Sequence, residues 1–295
     1  MKAVAPAIDT PRGRLADLFV FTKVRVNLLV VATAAGGFYM ASPDTLAIGV
    51  LVATVIGTGL VAGGAAALNQ ISERDIDALM DRTRHRPVAD GRMGLGEARV
   101  IAWATAAAGV ALLALVANLL AAVIAAITLV IYAHVYTPMK RVTSFATVVG
   151  AVPGALPPLI GWAAARGTLD APSWSLFLIV FLWQLPHFLA IAWLYREDYG
   201  RAGLPMLPVV DPDGASTARQ SLLYAAALLP VSILPSALGL TGMLYATSAL
   251  ALGLVFVGTG VRFAFARTKA NARLLFLMSL VYLPAAWAIM MFDRA

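Results

Sequence analysis

Two acidic segments of this sequence carry side chains whose types and spacing suit metal and phosphate chemistry. In the first, LNQISERDIDALMDRTRHRPVADGRM, each of Asn69, Glu73, Asp77 and Asp81 lies four residues after the one before it. If the preceding apolar helix continues through the segment, the four side chains share one helical face. A face lined with oxygen atoms suits Mg²⁺, which binds one or two carboxylates together with substrate phosphates. The spacing therefore predicts a magnesium site.

The second acidic segment is YREDYGRAGLPMLP, in which Glu197 and Asp198 follow another apolar run. Candidate phosphate ligands near the two segments are Arg82, Arg86, Lys140, Arg141 and Arg196. Arginine binds phosphate through parallel N–H donors, whereas lysine binds it as a point charge. Two acidic segments that meet at one cavity would hold a metal–diphosphate from both sides. The alternative is that these charges are solvated and form i,i+4 pairs, each contributing roughly 0.2–0.5 kcal/mol.

The rest of the chain, which must position these side chains, is apolar. Hydrophobic residues form 61% of the 295 residues and charged residues 13%, and the mean hydropathy is +0.84. Ordinary soluble domains contain about 25% charged residues, so the composition excludes a soluble protein and indicates an integral membrane protein. The sequence contains no cysteine, which excludes disulfides and thiol catalysis.

Apolar runs of about 20 residues, the length that crosses a bilayer as a helix, recur along the chain. They predict nine transmembrane helices, at residues 26–41, 46–67, 100–117, 119–136, 146–164, 174–194, 220–239, 242–261 and 274–292. We expect the fifth to be interrupted, because it contains Pro153, Pro157 and Pro158. The expected fold is all-α, with nine helices in a single bundle and a central cavity open near the cytoplasmic face.

Positive charge falls almost entirely on one side of this predicted topology. Of the 22 Lys and Arg, only Arg166 and Arg294 lie outside the N-terminal segment and the loops after spans 2, 4, 6 and 8. Because cytoplasmic loops are rich in Lys and Arg, we expect the charged side in the cytoplasm, or in the matrix of a mitochondrion. For a bacterium this predicts the cytoplasmic (inner) membrane, a cytoplasmic N-terminus and a C-terminus on the opposite side. The net charge of +7 follows from this asymmetry and does not indicate a nucleic-acid partner.

Three motifs, NQISERDIDALMDRTRHRP, YTPMKR and WQLPHFLAIAWLYREDYGRAGLPMLPV, together with the nine spans, resemble the haem branch of the UbiA superfamily of intramembrane prenyltransferases. The superfamily pattern, an Asn followed by acids at plus four and plus eight, matches Asn69, Glu73 and Asp77. The residues similar to the haem branch are Glu73, Met80, Arg82, Thr83, Arg86 and Pro87. One departure is Ala202, because many members carry a second acid four residues after the position matched by Asp198.

The resemblance implies an enzyme that transfers the farnesyl group of farnesyl diphosphate to the 2-vinyl group of haem B, with Mg²⁺ as cofactor. The implied catalytic and metal-binding residues are Asn69, Glu73, Asp77 and Asp198. The implied diphosphate ligands are Arg82, Arg86, Lys140, Arg141 and Arg196. His187 lies within an apolar span, where an ionisable group is a functional candidate, so we take it as a candidate for the haem pocket; a structural hydrogen bond is the alternative.

We expect one integral-membrane domain over residues 1–295, with a short cytoplasmic tail at 1–19 and active-site loops at 68–98 and 195–218. The expected partners are the bilayer, farnesyl diphosphate and haem B; direct contact with a haem A synthase or a terminal oxidase assembly stays open. One alternative function is a UbiA-type prenyltransferase that acts on a quinone or chlorophyll precursor. Another is an ion-coupled transporter, which would require ionisable residues near the span centres, where this sequence has few.

Overall fold

The computed structural model describes residues 13–42 and 45–295, which are mostly helical. The first eight helices are α1 (Arg14–Phe21), α2 (Val24–Ala41), α3 (Ile48–Ser72), α4 (Arg74–Asp77), α5 (Leu95–Leu112), α6 (Leu119–Val130), α7 (Thr137–Met139) and α8 (Ala146–Ala155). The others are α9 (Pro157–Arg166), α10 (Ala171–Leu194), α11 (Arg196–Arg201), α12 (Leu207–Val210), α13 (Ala215–Ala237), α14 (Met243–Phe265) and α15 (Lys269–Phe292). Two π-helical segments, Leu113–Ala117 and Ile131–Tyr136, extend α5 and join α6 to α7.

Nine membrane-spanning units occur in the part of the chain that the structure describes, which confirms the prediction of an all-α protein with nine spans. They are α2, α3, α5 with its π-helical segment, α6 to α7, α8 with α9, α10, α13, α14 and α15. Several of them extend past the predicted apolar run; α3, for example, ends at Ser72 rather than at residue 67. Polar residues can continue a helix beyond the hydrocarbon, so hydropathy alone places such ends too early.

The predicted interruption of span 5 lies at Leu156, between α8 and α9. Pro157 occupies the first position of α9, where its missing N–H leaves no helical hydrogen bond unmade. Across the bundle, Gln184 of α10 donates through Nε2 to the carbonyl of Ala151 in α8 at 2.7 Å. Because span 5 is broken at Leu156, its two halves make different contacts. Helix α8 contacts α10 through this hydrogen bond, whereas α9 packs closely against α2.

Small residues bring α2 and α9 together. A Cβ atom on Gly161 would lie 1.9 Å from the carbonyl oxygen of Ala34, and one on Gly37 would lie 2.2 Å from that of Pro158. Around this crossing lie two apolar cores. One includes Tyr245, Phe256, Phe263 and Tyr282 of α14 and α15, and the other includes Val61, Leu113, Ile124 and Leu159 of α3 and its neighbours. Span 1 contributes to both cores, through Met40 and Phe38 respectively.

The two arginines outside the charged loops fasten the C-terminal end of α2. Arg166 donates through Nε to the carbonyl of Ala41 at 2.8 Å, and Arg294 donates through Nη1 to the carbonyl of Tyr39 at 3.0 Å. The last carbonyls of a helix lack intrahelical partners and carry partial negative charge, so they favour cations. The two exceptions to the charge asymmetry therefore have a structural role.

The opposite end of the bundle, which carries α1, α4, α11 and α12, is called the charged face below. Residues 1–12 of the predicted tail lie outside the described residues, and from Arg14 onward the tail forms α1. Gln70 of α3 donates to the carbonyls of Val20 and Phe21 at 3.0 and 2.9 Å. The end of α1, just before span 1, is thereby held against the end of span 2.

Candidate active site

Asn69, Glu73 and Asp77 form a buried polar stripe at the charged face. Although α3 ends at Ser72, the Glu73 N–H donates to the Asn69 carbonyl at 2.9 Å and the Asp77 N–H to the Glu73 carbonyl at 2.7 Å. This i,i−4 bonding keeps the three side chains in register. They are 2%, 4% and 0% exposed, respectively.

Asp81 does not join the stripe, so the expectation of a four-residue face is wrong at its last position. Helix α4 ends at Asp77, and the chain turns before Asp81. The Asp81 side chain is exposed and meets Arg201 at 2.6 Å. The i,i+4 spacing could not reveal this turn, because the spacing is the same whether the helix continues to Asp81 or ends one turn earlier, at Asp77.

Each member of the stripe contacts one basic side chain. Lys23 donates through Nζ to Oδ1 of Asn69 at 3.0 Å. Lys140, directly after α7, forms an ion pair with Glu73. Arg86 donates through Nη1 to both carboxylate oxygens of Asp77, at 2.8 and 2.7 Å. Three cations from three separate elements thus surround two carboxylates and one amide.

Lys23 is a site residue that the sequence did not reveal. It adopts φ 50° and ψ 44°, and it is the one non-glycine residue with positive φ in the ranges that the structure describes. Such conformations cost free energy and concentrate at functional sites. Burial lowers the pKa of Lys23 to about 7, and the positive charges of Arg86 and Lys140 contribute to this shift. A lysine at the charged end of span 1 was the available signal, but its left-handed backbone leaves no sequence pattern.

The carboxylates of the stripe are costly to bury and therefore need their partners. Burial raises the pKa of Asp77, while Arg86 acts in the opposite direction by charge and hydrogen bonding. Oε1 of Glu73, although beside Lys140, accepts no well-aligned hydrogen bond in the described structure. Buried ionised groups require paired charges or a coordinated metal, and Lys140 supplies the paired charge at Glu73.

The oxygen atoms of the stripe fit a Mg²⁺ site that substrate phosphates complete, rather than a site made of protein ligands alone. Among the residues that the structure describes, no three His, Cys, Asp or Glu side chains converge on a point where they could hold an ion. The chain instead offers the carboxylates of Glu73 and Asp77 and the amide oxygen of Asn69. Mg²⁺ characteristically binds one or two carboxylates and completes its coordination with water and substrate phosphates.

The second acidic segment meets the first through Arg201. This arginine pairs with Asp198 on its own helix and with Asp81 on the first loop. Beneath these charges an apolar contact joins the loops, formed by Ile76, Met80, Leu204 and Met206. Glu197 points elsewhere, because it is exposed and pairs with Lys269 at 3.0 Å. Asp198 thus lies at the junction of the loops but outside the buried stripe.

Two of the five predicted diphosphate ligands, Arg86 and Lys140, contact the stripe. A third, Arg82, lies against the rings of Tyr195 and Tyr199, 5.3 and 6.0 Å from their centroids. The other two make different contacts. Arg141 holds both carboxylate oxygens of Asp75 and the Ser72 carbonyl, and Arg196 stacks on Trp193.

His187 of α10 presents one free ring nitrogen. Its Nδ1 lies 2.7 Å from Oγ of Ser279 in α15, and this hydroxyl donates its proton to the Phe276 carbonyl at 2.5 Å. Because a serine hydroxyl has a single proton, Nδ1 must carry hydrogen and donate to Oγ. The imidazole Nε2 therefore retains its lone pair, as a hydrogen-bond acceptor or metal ligand does.

Comparison with known proteins places this chain in one family. Residues 29–292 match the UbiA prenyltransferase family. This chain belongs to the UbiA prenyltransferase family. The resemblance stated from the sequence motifs is thus confirmed, together with the expectation of a prenyltransferase enzyme, and the transporter alternative is excluded.

Three curated relatives of this UbiA chain carry the name protoheme IX farnesyltransferase. The relative from Solibacter usitatus (strain Ellin6076) is 48% identical, with 94% of this chain and 98% of that protein covered. The relative from Myxococcus xanthus (strain DK1622) is 44% identical, with 100% and 99% covered. The relative from Koribacter versatilis (strain Ellin345) is 42% identical, also with 100% and 99% covered.

Solved structures of other proteins share this fold. A digeranylgeranylglyceryl phosphate synthase superposes with a TM-score of 0.80 at 17% identity, covering 96% of this chain and 99% of the other. A UbiA homolog from Aeropyrum pernix K1 gives 0.66 at 24% identity, with 91% and 98% covered. A UbiA homolog from Archaeoglobus fulgidus bound to GPP and Mg²⁺ gives 0.61 at 15% identity, with 93% and 99% covered.

Proposed function

We propose that this protein transfers the farnesyl group of farnesyl diphosphate to the 2-vinyl group of haem B, producing haem O. The observation that carries the proposal is the buried stripe of Asn69, Glu73 and Asp77, in which each side chain contacts a basic group. The relatives named protoheme IX farnesyltransferase, at 41–48% identity, support farnesyl transfer and haem as the acceptor.

The proposed reaction breaks the bond between C1 of the farnesyl group and the diphosphate oxygen, and the electron pair leaves with the diphosphate. The electron pair of the vinyl group then forms the new carbon–carbon bond, and water supplies the hydroxyl group with release of a proton. Departure of the diphosphate is slow unless its developing negative charge is stabilised. Lys23, Lys140 and Arg86 would supply positive charge where that negative charge develops, because each of them contacts one residue of the stripe.

Mg²⁺, when bound, would neutralise charge on the leaving diphosphate as a Lewis acid. Glu73 and Asp77 would hold it through carboxylate oxygens and Asn69 through Oδ1. Arg82 would contact the diphosphate from the loop side, since it lies beside Tyr199 of the second segment. Asp198 would contribute to binding the metal–diphosphate from the loop junction, where it pairs with Arg201. Arg141 and Arg196 retain a predicted role in phosphate binding.

Exclusion of water is the second requirement, because an allylic cation is captured by any water that reaches it. The apolar contact between the loops, formed by Ile76 and Met80 against Leu204 and Met206, would close the charged face above the reacting carbon. The farnesyl tail would lie in a central cavity among the spans. In this proposal, residues 1–295 form one integral-membrane catalytic domain.

On the acceptor side, His187 is the proposed contact to haem. Its Nε2 lone pair could ligate the iron, and the neighbouring Trp183 and Phe276 rings, both with centroids 5.1 Å away, would stack on a flat apolar ligand. Basic residues at the charged face would pair with the two propionates. The charge asymmetry supports a bacterial cytoplasmic membrane location with this face in the cytoplasm.

The test is a reconstitution with defined substrates. The purified protein in lipid nanodiscs is incubated with haem B, farnesyl diphosphate and Mg²⁺, and the pigments are separated and identified by mass. We expect haem O, and we expect EDTA to abolish its formation. Prenylation of 4-hydroxybenzoate in a parallel reaction that leaves haem B unchanged would overturn the haem assignment while leaving the family intact.

A further inference from the structure

The Asn69 amide is held by hydrogen bonds at both of its ends. Oδ1 accepts from Nζ of Lys23 at 3.0 Å, and Nδ2 donates to Oγ1 of Thr137 at 3.3 Å. Asn69 is 2% exposed and Thr137 is 0% exposed. At such burial these two hydrogen bonds set the direction in which the amide points.

The Thr137 hydroxyl determines which end of the amide faces which way. Its proton is donated to the carbonyl of Tyr132 at 2.8 Å, so its oxygen can only accept from Asn69. The reversed amide would place Oδ1 against that oxygen, two acceptors without a proton between them. Thr137 therefore selects Nδ2 and turns Oδ1 of Asn69 towards Lys23.

The orientation of the amide matters for the proposed metal ligands. Asn69, Glu73 and Asp77 lie at successive i,i+4 positions of one helical face, and the ammonium group of Lys23 marks a position 3.0 Å from Oδ1 that a cation can occupy. If the amide were reversed, its NH₂ group would face this position, and an NH₂ group cannot bind a cation.

A local departure from α-helical geometry brings Thr137 to this position. The residues before it, Ile131–Tyr136, are π-helical, and the Thr137 hydroxyl bonds the carbonyl five residues earlier. In a regular α-helix a threonine hydroxyl bonds the carbonyl four residues earlier. Short π-helical segments occur frequently at functional sites, and here the segment directs a hydroxyl at the end of α3.

We propose that Thr137 is a positioning residue that orients Oδ1 of Asn69 for binding a divalent cation. The inference rests on the proposed function, since it assumes that Asn69 is a metal ligand. A purely structural Thr137 would only tie α7 to α3. The two roles differ in their readouts: positioning alters cation affinity through Asn69, whereas a tie alters stability alone.

The test measures Mn²⁺ binding by electron paramagnetic resonance, with farnesyl diphosphate present, in the full-length protein in nanodiscs. Mutation of residues that orient metal ligands typically costs about 10–100-fold in metal affinity. We therefore expect Thr137→Val to weaken Mn²⁺ binding at least about tenfold and Thr137→Ser to restore it. Thr54→Val is the matched control, because Thr54 is equally buried and its hydroxyl bonds only the Val50 carbonyl.

The double variant Thr137→Val with Asn69→Ala separates positioning from stability. If Thr137 acts through Asn69, its substitution has no further effect on Mn²⁺ affinity once Asn69 is alanine. Unchanged affinity in Thr137→Val, equal losses in the Ser and Val variants, or an equal loss in Thr54→Val would each overturn the proposal. Thr137→Ala replaces the valine variant if the latter does not fold. A wild-type protein that binds no Mn²⁺ would instead contradict the proposed function.

Discussion

Lys23 and Asn69, which are 46 residues apart in sequence, are joined by a hydrogen bond of 3.0 Å between Nζ and Oδ1. This bond connects the start of span 1 to the end of span 2 at the charged face. With the contacts of Lys140 and Arg86, it places positive groups from three elements around one polar stripe. Such groups are fixed before any substrate binds, and fixed charges stabilise a developing anion without reorganisation during the reaction.

Asp77→Asn tests the stripe directly. The substitution keeps the shape of the side chain and removes its charge, so Mg²⁺ and the Nη1 group of Arg86 both lose an anionic partner. We expect kcat for haem O formation to fall by at least about 100-fold and Mn²⁺ affinity to fall with it. A cooperative thermal unfolding transition should show that the variant is still folded. Asp81→Asn is the control, because Asp81 is exposed and outside the stripe. Near-normal turnover in Asp77→Asn would remove this residue from the metal site.

Lys23→Met tests the residue that the sequence did not reveal. Methionine keeps the length and apolar body of the side chain but removes the ammonium group from Asn69 and from the proposed diphosphate. We expect KM for farnesyl diphosphate to rise about tenfold or more, since charge-assisted hydrogen bonds are roughly twice as strong as neutral ones. The neighbouring Arg25 is exposed, so Arg25→Met should leave KM unchanged. Equal effects of the two variants would indicate that only the overall surface charge matters.

The architecture was predictable because it depends on patterns that each span carries by itself. Apolar runs fixed the nine spans, and the prolines of span 5 indicated its break near Leu156. The i,i+4 spacing of Asn69, Glu73 and Asp77 likewise depends on a single helix. These are local properties, and local properties can be read from one sequence.

The partners within the site were not predictable, because they depend on how distant segments pack. No pattern links Arg86 to Asp77 rather than to Asp81, or Lys140 to Glu73. The inward direction of Lys23 requires a left-handed backbone angle, and the position of Thr137 requires a π-helical segment. Both are backbone irregularities set by tertiary contacts, and neither has a strong residue signature.

His187→Ala tests the haem contact. Loss of the imidazole removes the Nε2 lone pair that the hydrogen bond to Ser279 leaves free. We expect the Soret band of bound haem B to shift and its dissociation constant to rise, while KM for farnesyl diphosphate stays unchanged. His134→Ala is the matched control, because His134 is exposed and stacks on Trp103 instead. An unaltered Soret band in His187→Ala would exclude iron ligation and leave a structural hydrogen bond as the role of His187.

Arg86→Lys separates charge from geometry at the stripe. Arg86 reaches both oxygens of Asp77 through one nitrogen, Nη1, from a largely buried position, which leaves Nη2 and Nε of the guanidinium group to form a fork of donors to a phosphate. Lysine keeps the charge but cannot reproduce a planar fork of donors. We therefore expect a fall of about tenfold or more in kcat/KM, consistent with a strong hydrogen bond lost in the transition state, and a smaller loss of thermal stability than in Arg86→Met. Arg84→Lys is the control, because Arg84 is exposed and meets only Asp81 and His85. If Arg86→Lys retains wild-type kcat/KM, positive charge alone accounts for its contribution, and bidentate recognition of the diphosphate is not required.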